Sequence, residues 1–149
     1  MAEYLILAET VLFKNEKLTC INIYDKFTTV AMPAEFGFDM AIMCGPKWSV
    51  GDHKLSVKAK ASNGKEINLG EAIVKIPHED FIYNAFLNNI KITMDYSVRD
   101  LTFYVYDNDK EIIARRYPVI PMLVPQQQNE NAENKNKANS DKKSTKASK

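Results

Sequence analysis

Residues 54–61 alternate between polar and apolar side chains, and this alternation constrains the fold more than any other feature of the sequence. The run reads Lys54, Leu55, Ser56, Val57, Lys58, Ala59, Lys60 and Ala61. Because successive side chains of a β-strand point to opposite faces, the apolar set is expected on a core and the lysines in water. Asn63-Gly64 follows, and this dipeptide readily adopts the positive φ angles of a tight hairpin turn. The sequence therefore predicts an antiparallel hairpin in which Glu66–Ile76 is the return strand.

Similar short stretches, separated by turn residues, recur along most of the chain. They cover residues 4–13, 18–24 with a continuation at 27–32, 36–44, 90–96, 101–106 and 111–117. Phe81 and Ala85 recur instead at helical spacing, which predicts a short helical connection over residues 81–89. Seven or eight strands with one such connection are typical of an all-β antiparallel sandwich, and a small barrel is the alternative.

The composition changes near Pro125. Residues 126–149 contain no aromatic side chain and no aliphatic one larger than alanine, and Asn, Lys, Gln and Ser dominate. Such a segment cannot bury enough apolar surface to offset a backbone entropy cost of about 1–2 kcal/mol per residue. We therefore expect one β-sandwich domain over residues 1–125 and a disordered polar tail over residues 126–149.

The charge distribution bears on the class of partner. The tail has six lysines and three carboxylates, so its net charge of +3 leaves −2 on residues 1–125 in a chain that carries +1. A mildly acidic domain argues against a dedicated nucleic-acid surface, which would show as a concentrated basic face. Nucleic-acid binding is expected to be weak at most, through the tail together with Lys58 and Lys60.

The N-terminal residues and the cysteines bear on location. Residues 1–5 lack the features of a secretory signal, and the longest apolar run, residues 4–8, is far shorter than the roughly 18–20 residues of a membrane span. Cys20 and Cys44 are the only cysteines, and both lie in apolar stretches typical of reduced, packed thiols. These features predict a cytoplasmic protein with no membrane association.

Three features follow one another in a recognisable order. They are a hairpin of residues 4–9 and 17–25, a proline-preceded strand from Pro33 to Cys44, and a long hairpin of residues 51–65. In this order the chain resembles a family of small bacterial and phage-type β-sandwich proteins of unknown function. The resemblance covers about residues 3–120. It implies an Ig- or C2-like sandwich and brings no established activity, so it assigns no functional residue.

The residues able to bind a metal ion show no ligand spacing. A zinc site commonly uses closely spaced pairs of ligands, which neither the two cysteines nor His53 and His78 provide. The acidic run that begins at Asp107 is similar to the start of a calcium loop. Ile112 and Pro118, however, stand where such a loop needs a glycine and a bidentate glutamate. No metal site is predicted.

Covalent catalysis needs a serine or cysteine next to a base. Ser49 or Ser56 could approach His53, but such a combination is common by chance. The sequence has no Gly-x-Ser-x-Gly elbow, phosphate-binding loop or dinucleotide fingerprint, and it has only five glycines from which to build one. We therefore expect a protein that is not an enzyme and that uses no cofactor.

Aromatic side chains carry most of the binding potential. Trp48, the sole tryptophan, lies in a loop punctuated by Gly and Pro, where it is either an exposed interface anchor or a lid folded over the end of the sandwich. Tyr104 and Tyr106 share one strand face, and Arg115 with Tyr117 is expected to flank them on the next strand. The alternative is a cross-strand Tyr–Arg ladder that only covers the sheet.

Taken together, these patterns predict a non-enzymatic protein-interaction module that presents the Trp48 loop or the tyrosine-bearing face to a protein partner. The alternative is a small-ligand or divalent-cation-binding sandwich that uses the loops at one end. An accessory or counter-defence protein of a bacterium or phage is the expected setting, since the Lys-, Asn- and Ile-rich composition fits an A·T-rich genome.

Overall fold

The computed structural model describes residues 4–15, 17–45 and 48–122, and the regular secondary structure of these residues is entirely β. The strands are β1 (Tyr4–Lys14), β2 (Lys17–Ile23), β3 (Phe27–Thr29), β4 (Ala34–Cys44), β5 (Gly51–Ala61), β6 (Glu66–Ile76), β7 (Tyr83–Met94), β8 (Asp100–Asp107) and β9 (Lys110–Pro121). The all-β class is confirmed, with nine strands in the described ranges where seven or eight were predicted. The predicted disordered tail, residues 126–149, lies outside the described residues. No helix in the described part of the chain is long and apolar enough to cross a bilayer.

The strands form two separate sheets. One has four strands in the order β2-β1-β4-β7, and the other has five in the order β3-β9-β8-β5-β6. Paired strands are antiparallel except β3 and β9, which run parallel. Phe38 of β4 meets Phe103 of β8 across the two sheets, with ring centroids 5.7 Å apart. Apolar side chains of both sheets thus share one core, which makes the arrangement sandwich-like.

Phe27 of β3 lies at the centre of this core and is fully buried. Its ring is 5.2 Å from that of Phe36 and 5.7 Å from that of Phe38, both in the four-stranded sheet. On the other side it is 6.4 Å from Phe103 and 6.1 Å from Tyr117, both in the five-stranded sheet. Each such aromatic pair is worth about 0.5–1.5 kcal/mol beyond the area that it buries. The short β3 therefore holds the two sheets together.

The helical connection predicted over residues 81–89 is wrong, because β7 begins only two residues into this stretch. Phe81 and Ala85 are four positions apart, and an even separation places two side chains on one face of a strand as readily as on one face of a helix. Residues 83–94 pair with β4 along the length of β7, and this pairing makes the segment a strand. Asn89 has a φ of 56°, and the register of β7 with β4 shifts beside it, so that Ile90 turns inward as Ala85 does.

The distal half of the β1–β2 hairpin folds over the outer face of the four-stranded sheet. β1 pairs with β4 only in its first half and with β2 in its second. Phe13 packs on Phe86 of β7, with ring centroids 5.7 Å apart. The Asp39 carboxylate of β4 accepts the backbone N–H groups of Val11 at 3.0 Å and of Asn89 at 2.9 Å. A small second apolar cluster forms here from Ile6, Ala8, Val11, Leu18, Cys20, Ala41 and Phe86.

The hairpin predicted around Asn63-Gly64 is present as β5 and β6. The Gly64 N–H donates to the Ala61 carbonyl at 2.9 Å and closes the turn. Gly64 alone takes a positive φ, of 89°, while the Asn63 side chain accepts the Lys65 N–H at 3.1 Å. This geometry matches a three-residue loop with glycine in the left-handed position instead of a two-residue Asn-Gly turn.

Candidate functional site

The outer face of β5 and β8 brings tyrosines and lysines to adjacent positions. We call Lys58, Lys60, Thr102, Tyr104 and Tyr106 the tyrosine face. The strand register pairs Lys58 with Tyr104 and Lys60 with Thr102. The rings of Tyr104 and Tyr106 stack with centroids 6.4 Å apart and an interplanar angle of 25°. Lys58 Nζ lies 5.6 Å from the Tyr106 ring centroid, within the range of cation–π attraction.

Two half-open depressions flank Lys58 on this face. The first, of about 260 Å³, is lined mainly by Lys58, Lys60, Glu66, Tyr104 and Tyr106. The second, of about 250 Å³, is lined mainly by Lys58, Ser56, Asn68, Glu71 and Asp109. Sites for small molecules usually have volumes of about 300–1,000 Å³. Each depression therefore suits one side chain of a partner better than a whole small molecule.

The cations on this side of the sheet differ in their partners. Three are paired: Lys54 with Glu71 at 3.0 Å, Lys60 with Glu66 at 3.4 Å, and Arg116 with Asp100 at 2.6 Å. Lys58 forms no ion pair within the described residues, and its cross-strand neighbour on β6 is the neutral Asn68. Exposed lysine–glutamate pairs contribute only about 0–1 kcal/mol each to stability. Their main consequence is to neutralise Lys54, Lys60 and Arg116.

The expected flanking of the tyrosines by Arg115 and Tyr117 is wrong. The register of β8 with β9 places Ala114 opposite Tyr104. Arg115 and Tyr117 are one position out of phase with this face, and Tyr117 is 1% exposed and belongs to the core. A one-residue difference in register exchanges the two faces of a strand, and the sequence pattern of β9 did not determine that register.

Arg115 lies instead where the two sheets approach each other at one edge. Its Nη1 donates to the Leu5 carbonyl of β1 at 2.8 Å, and its guanidinium lies 5.3 Å from the Tyr117 ring centroid. Among the described residues, no strand pairs with this half of β1 on the side away from β4. The guanidinium therefore binds a strand-edge carbonyl, and its position indicates a structural role.

Trp48 packs into the end of the core and is 4% exposed. Its indole ring lies against the imidazole of His53, with ring centroids 4.8 Å apart and tilted by 44°. Of the two interpretations that the sequence left open, the structure supports the lid and not the exposed anchor. Trp48 does not contribute to the tyrosine face.

His53 is the one buried polar side chain among the described residues. Its Nδ1 lies 2.7 Å from Asp107 Oδ2, and its Nε2 lies 2.7 Å from the carbonyl oxygen of Ser49. A carboxylate and a carbonyl oxygen both accept hydrogen bonds, so the two contacts are satisfied together by the imidazolium form of the ring, in which both nitrogens donate. Burial alone would lower the pKa of His53, but the hydrogen bonds to Ser49 and Asp107 and the charges of Asp107 and Asp52 outweigh it. The pKa is therefore raised above its ordinary value.

The spatial arrangement of Ser49, His53 and Asp107 is similar to a serine-hydrolase triad, in which a histidine lies between a serine and an aspartate. Ser49 Oγ lies 3.4 Å from His53 Nε2. A general base needs a free lone pair at that nitrogen. In the imidazolium form Nε2 carries a proton, which it donates to the Ser49 carbonyl. In that form His53 cannot deprotonate Ser49, and the three residues fasten the loop before β5. Sequence reasoning missed the pair of His53 and Asp107, which are 54 positions apart and meet only because β5 lies beside β8.

The possible metal ligands are used in other ways or lie apart. Asp107 belongs to the histidine cluster, while Asn108 and Asp109 form the β8–β9 turn with φ angles of 46° and 66°. Cys20 and Cys44 form no disulfide. Across the ranges that the structure describes, no three His, Cys, Asp or Glu side chains converge on a position suited to a metal ion.

No family model, no curated protein and no solved structure matches this chain. The resemblance to bacterial and phage-type sandwich proteins therefore stays a prediction. The tyrosine face is the surface whose geometry bears most directly on function.

Proposed function

We propose that this protein is a non-enzymatic interaction module whose tyrosine face binds a protein partner. The observation that carries the proposal is the stacked pair Tyr104 and Tyr106 beside Lys58, an ammonium without a carboxylate partner in the described residues. β5 and β8 each have hydrogen-bonded strands on both sides, so the backbone beneath the face is held in place. Tyrosine supplies a large contact area with only two rotatable side-chain bonds, which limits the entropy lost on binding.

The charges around the face favour a protein over a nucleic acid. Stacked tyrosines do fit the aromatic platforms that bind single strands. Such platforms also follow the phosphate backbone with several cations that have no protein partner. Here Lys60 is neutralised by Glu66 and Lys54 by Glu71, which leaves Lys58 as the one lysine of the three on this face of β5 without an ion pair among the described residues. A mixed-charge face with a tyrosine centre and a polar rim is the composition of a protein interface.

The alternative function, binding of a small ligand or a divalent cation by end loops, has less support. The two depressions lie on the sheet and each is smaller than a usual small-molecule site. The described residues offer no cluster of carboxylates or imidazoles for a cation. An Ig- or C2-like topology, a cytoplasmic location and an accessory role in a bacterium or phage remain part of the proposal as predictions.

Affinity capture from the native host tests the binding surface. The bait is the full chain, compared with a Tyr104→Ser/Tyr106→Ser double variant and with Tyr96→Ser as the matched control. Tyr96 is 74% exposed and lies in the connection before β8, away from the tyrosine face. We expect the wild type and the Tyr96→Ser variant to capture the same partner. The double variant should capture at least about tenfold less of it.

Thermal unfolding of each bait shows whether the fold is intact, and only folded baits enter the comparison. Partners retained equally by the double variant and the wild type would refute the tyrosine face as the binding surface.

A further inference from the structure

Lys58 occupies an unusual electrostatic position on its sheet. Lys54 and Lys60 lie four residues before and two residues after Lys58 on β5, and each reaches a glutamate on β6. Lys58 faces Asn68 on β6 and Tyr104 on β8, neither of which carries a negative charge at neutral pH. Its ammonium is held beside the Tyr106 ring. Of Lys54, Lys58 and Lys60 on this face of β5, Lys58 is thus the one without an ion pair in the described part of the chain.

The two depressions meet at this cation. Lys58 forms a wall of both, with the tyrosine rings on one side and Ser56 and Asn68 on the other. A ligand in either depression therefore lies beside the same lysine. On the tyrosine side an apolar or aromatic group can lie on the rings, and on the other side Ser56 and Asn68 offer hydrogen bonds to a polar group.

The surroundings select the kind of anion. Glu66 lines the first depression, and Glu71 and Asp109 line the second. Glu66 and Glu71 already occupy Lys60 and Lys54, whereas the phosphates of a polyanion would need several cations at once. A single carboxylate needs only the one ammonium of Lys58. Each depression has a volume of about 250–260 Å³, which suits one side chain.

We infer that the partner presents an extended segment with an aspartate or glutamate on Lys58 and an apolar or aromatic side chain on Tyr104 and Tyr106. This inference rests on the proposed function, because it names the chemistry by which the same face recognises its partner. Charge complementarity at Lys58 specifies an acidic residue, and the tyrosine rings specify its apolar neighbour.

A random dodecamer peptide library displayed on phage provides the probe. It is selected on the wild-type full chain, on K58E, on K14E, and on the Tyr104→Ser/Tyr106→Ser variant. Lys14 is exposed and lies on β1 of the other sheet, so K14E makes the same change in net charge away from the tyrosine face and from both depressions. Thermal unfolding verifies that each variant is folded. Oligothymidylate binding is measured in parallel on the same proteins.

We expect the wild type and K14E to enrich peptides with an acidic residue next to an apolar one, and K58E to bind those peptides at least about tenfold more weakly. If K58E bound the same acidic peptides with the same affinity as the wild type, the inference would be overturned. Tyrosine-dependent peptides without acidic bias would overturn it while leaving the proposed function standing. No tyrosine-dependent peptide at all, or oligothymidylate binding that K58E abolishes, would overturn both.

Discussion

At the scale of single residues, the chemistry of His53 depends on its keeping two protons. Both ring nitrogens donate to oxygens that only accept, so loss of either proton breaks one hydrogen bond. The broken bond leaves either the Ser49 carbonyl or the Asp107 carboxylate without its partner. Trp48 packs against the same ring, and Ser49 is the next residue after Trp48 in the sequence. Protonation of His53 therefore helps to hold the Trp48 loop over this end of the core.

Replacing His53 by glutamine should make the stability of the protein less dependent on pH. The folded-state pKa of His53 is raised above its ordinary value, so its stabilisation is complete below about pH 6.5 and is lost as the pH rises through the folded-state pKa. We expect His53→Gln to lower the free energy of unfolding by about 2–3 kcal/mol near pH 6 and by less at alkaline pH. Urea unfolding at a series of pH values measures both quantities.

His78 provides the matched control for this experiment. It is exposed and packs edge-on against Phe81, with ring centroids 5.4 Å apart, away from Asp107. His78→Gln should therefore keep the pH dependence of the wild type. Equal slopes in the wild type and in His53→Gln would show that the imidazolium does not contribute to stability.

Tyr117→Phe should leave the protein as stable as the wild type or more stable by about 1 kcal/mol. The Tyr117 hydroxyl is buried and has no hydrogen-bond partner among the described residues. Burial raises the pKa of Tyr117, more than the nearby Arg115 charge lowers it, so the hydroxyl stays neutral. Tyr117→Ala, which removes the ring as well, should cost about 3–5 kcal/mol in the same urea titration. A loss of more than about 1 kcal/mol in Tyr117→Phe would contradict this account.

At the scale of strands, the alternation of side chains predicted most of the elements and two of the face assignments. The polar and apolar sets of β5 lie on opposite faces as expected, and so do Tyr104 and Phe103 of β8. Alternation failed where an even spacing fits both a strand and a helix, as for Phe81 and Ala85. It also cannot report which strands become neighbours, and that order decides the pairing of Lys58 with Tyr104.

The same limit explains what was missed in the candidate site. Arg115 and Tyr117 were assigned to the wrong face because the sequence does not reveal the register of β9 against β8. The sequence does not decide whether Trp48 is exposed or buried, because the burial of a loop side chain depends on how the end of the core packs beneath it. Lys58 was considered only for weak nucleic-acid binding, since its lack of a carboxylate partner emerges only from the β5–β6 register.

Asp39 should be important for holding β1 and β7 against β4. Its carboxylate accepts the N–H group of Val11, where β1 has stopped pairing with β4, and the N–H group of Asn89, where the register of β7 with β4 shifts. Asp39→Ala should lower the free energy of unfolding by about 2–4 kcal/mol, and amide exchange at Val11 and Asn89 should accelerate. Asp39→Asn has only one acceptor oxygen, so its loss should be intermediate. Unchanged exchange at both amides in Asp39→Ala would contradict the assignment.

At the scale of the whole molecule, a chain ending at Pro125 should fold as well as the full chain. The last hydrogen bond of the described residues joins the Met122 N–H to the Thr29 carbonyl at 2.7 Å. Residues 126–149 have a composition that offers no apolar surface to the core. We expect the melting temperatures of the two forms to agree within about 2 °C by circular dichroism. A fall of more than about 5 °C would place part of residues 126–149 in the folded domain.

The separation of faces in β5 and β8 has a consequence for how such a protein can change over generations. Outward positions such as Lys58 and Tyr104 can be exchanged without disturbing Val57 or Phe103, whose side chains fill the interior. Mutations that retarget the surface therefore carry little penalty in foldability. Natural variants under selection for a changing partner, or a laboratory library built on these outward positions, could acquire new binding specificities on an unchanged scaffold.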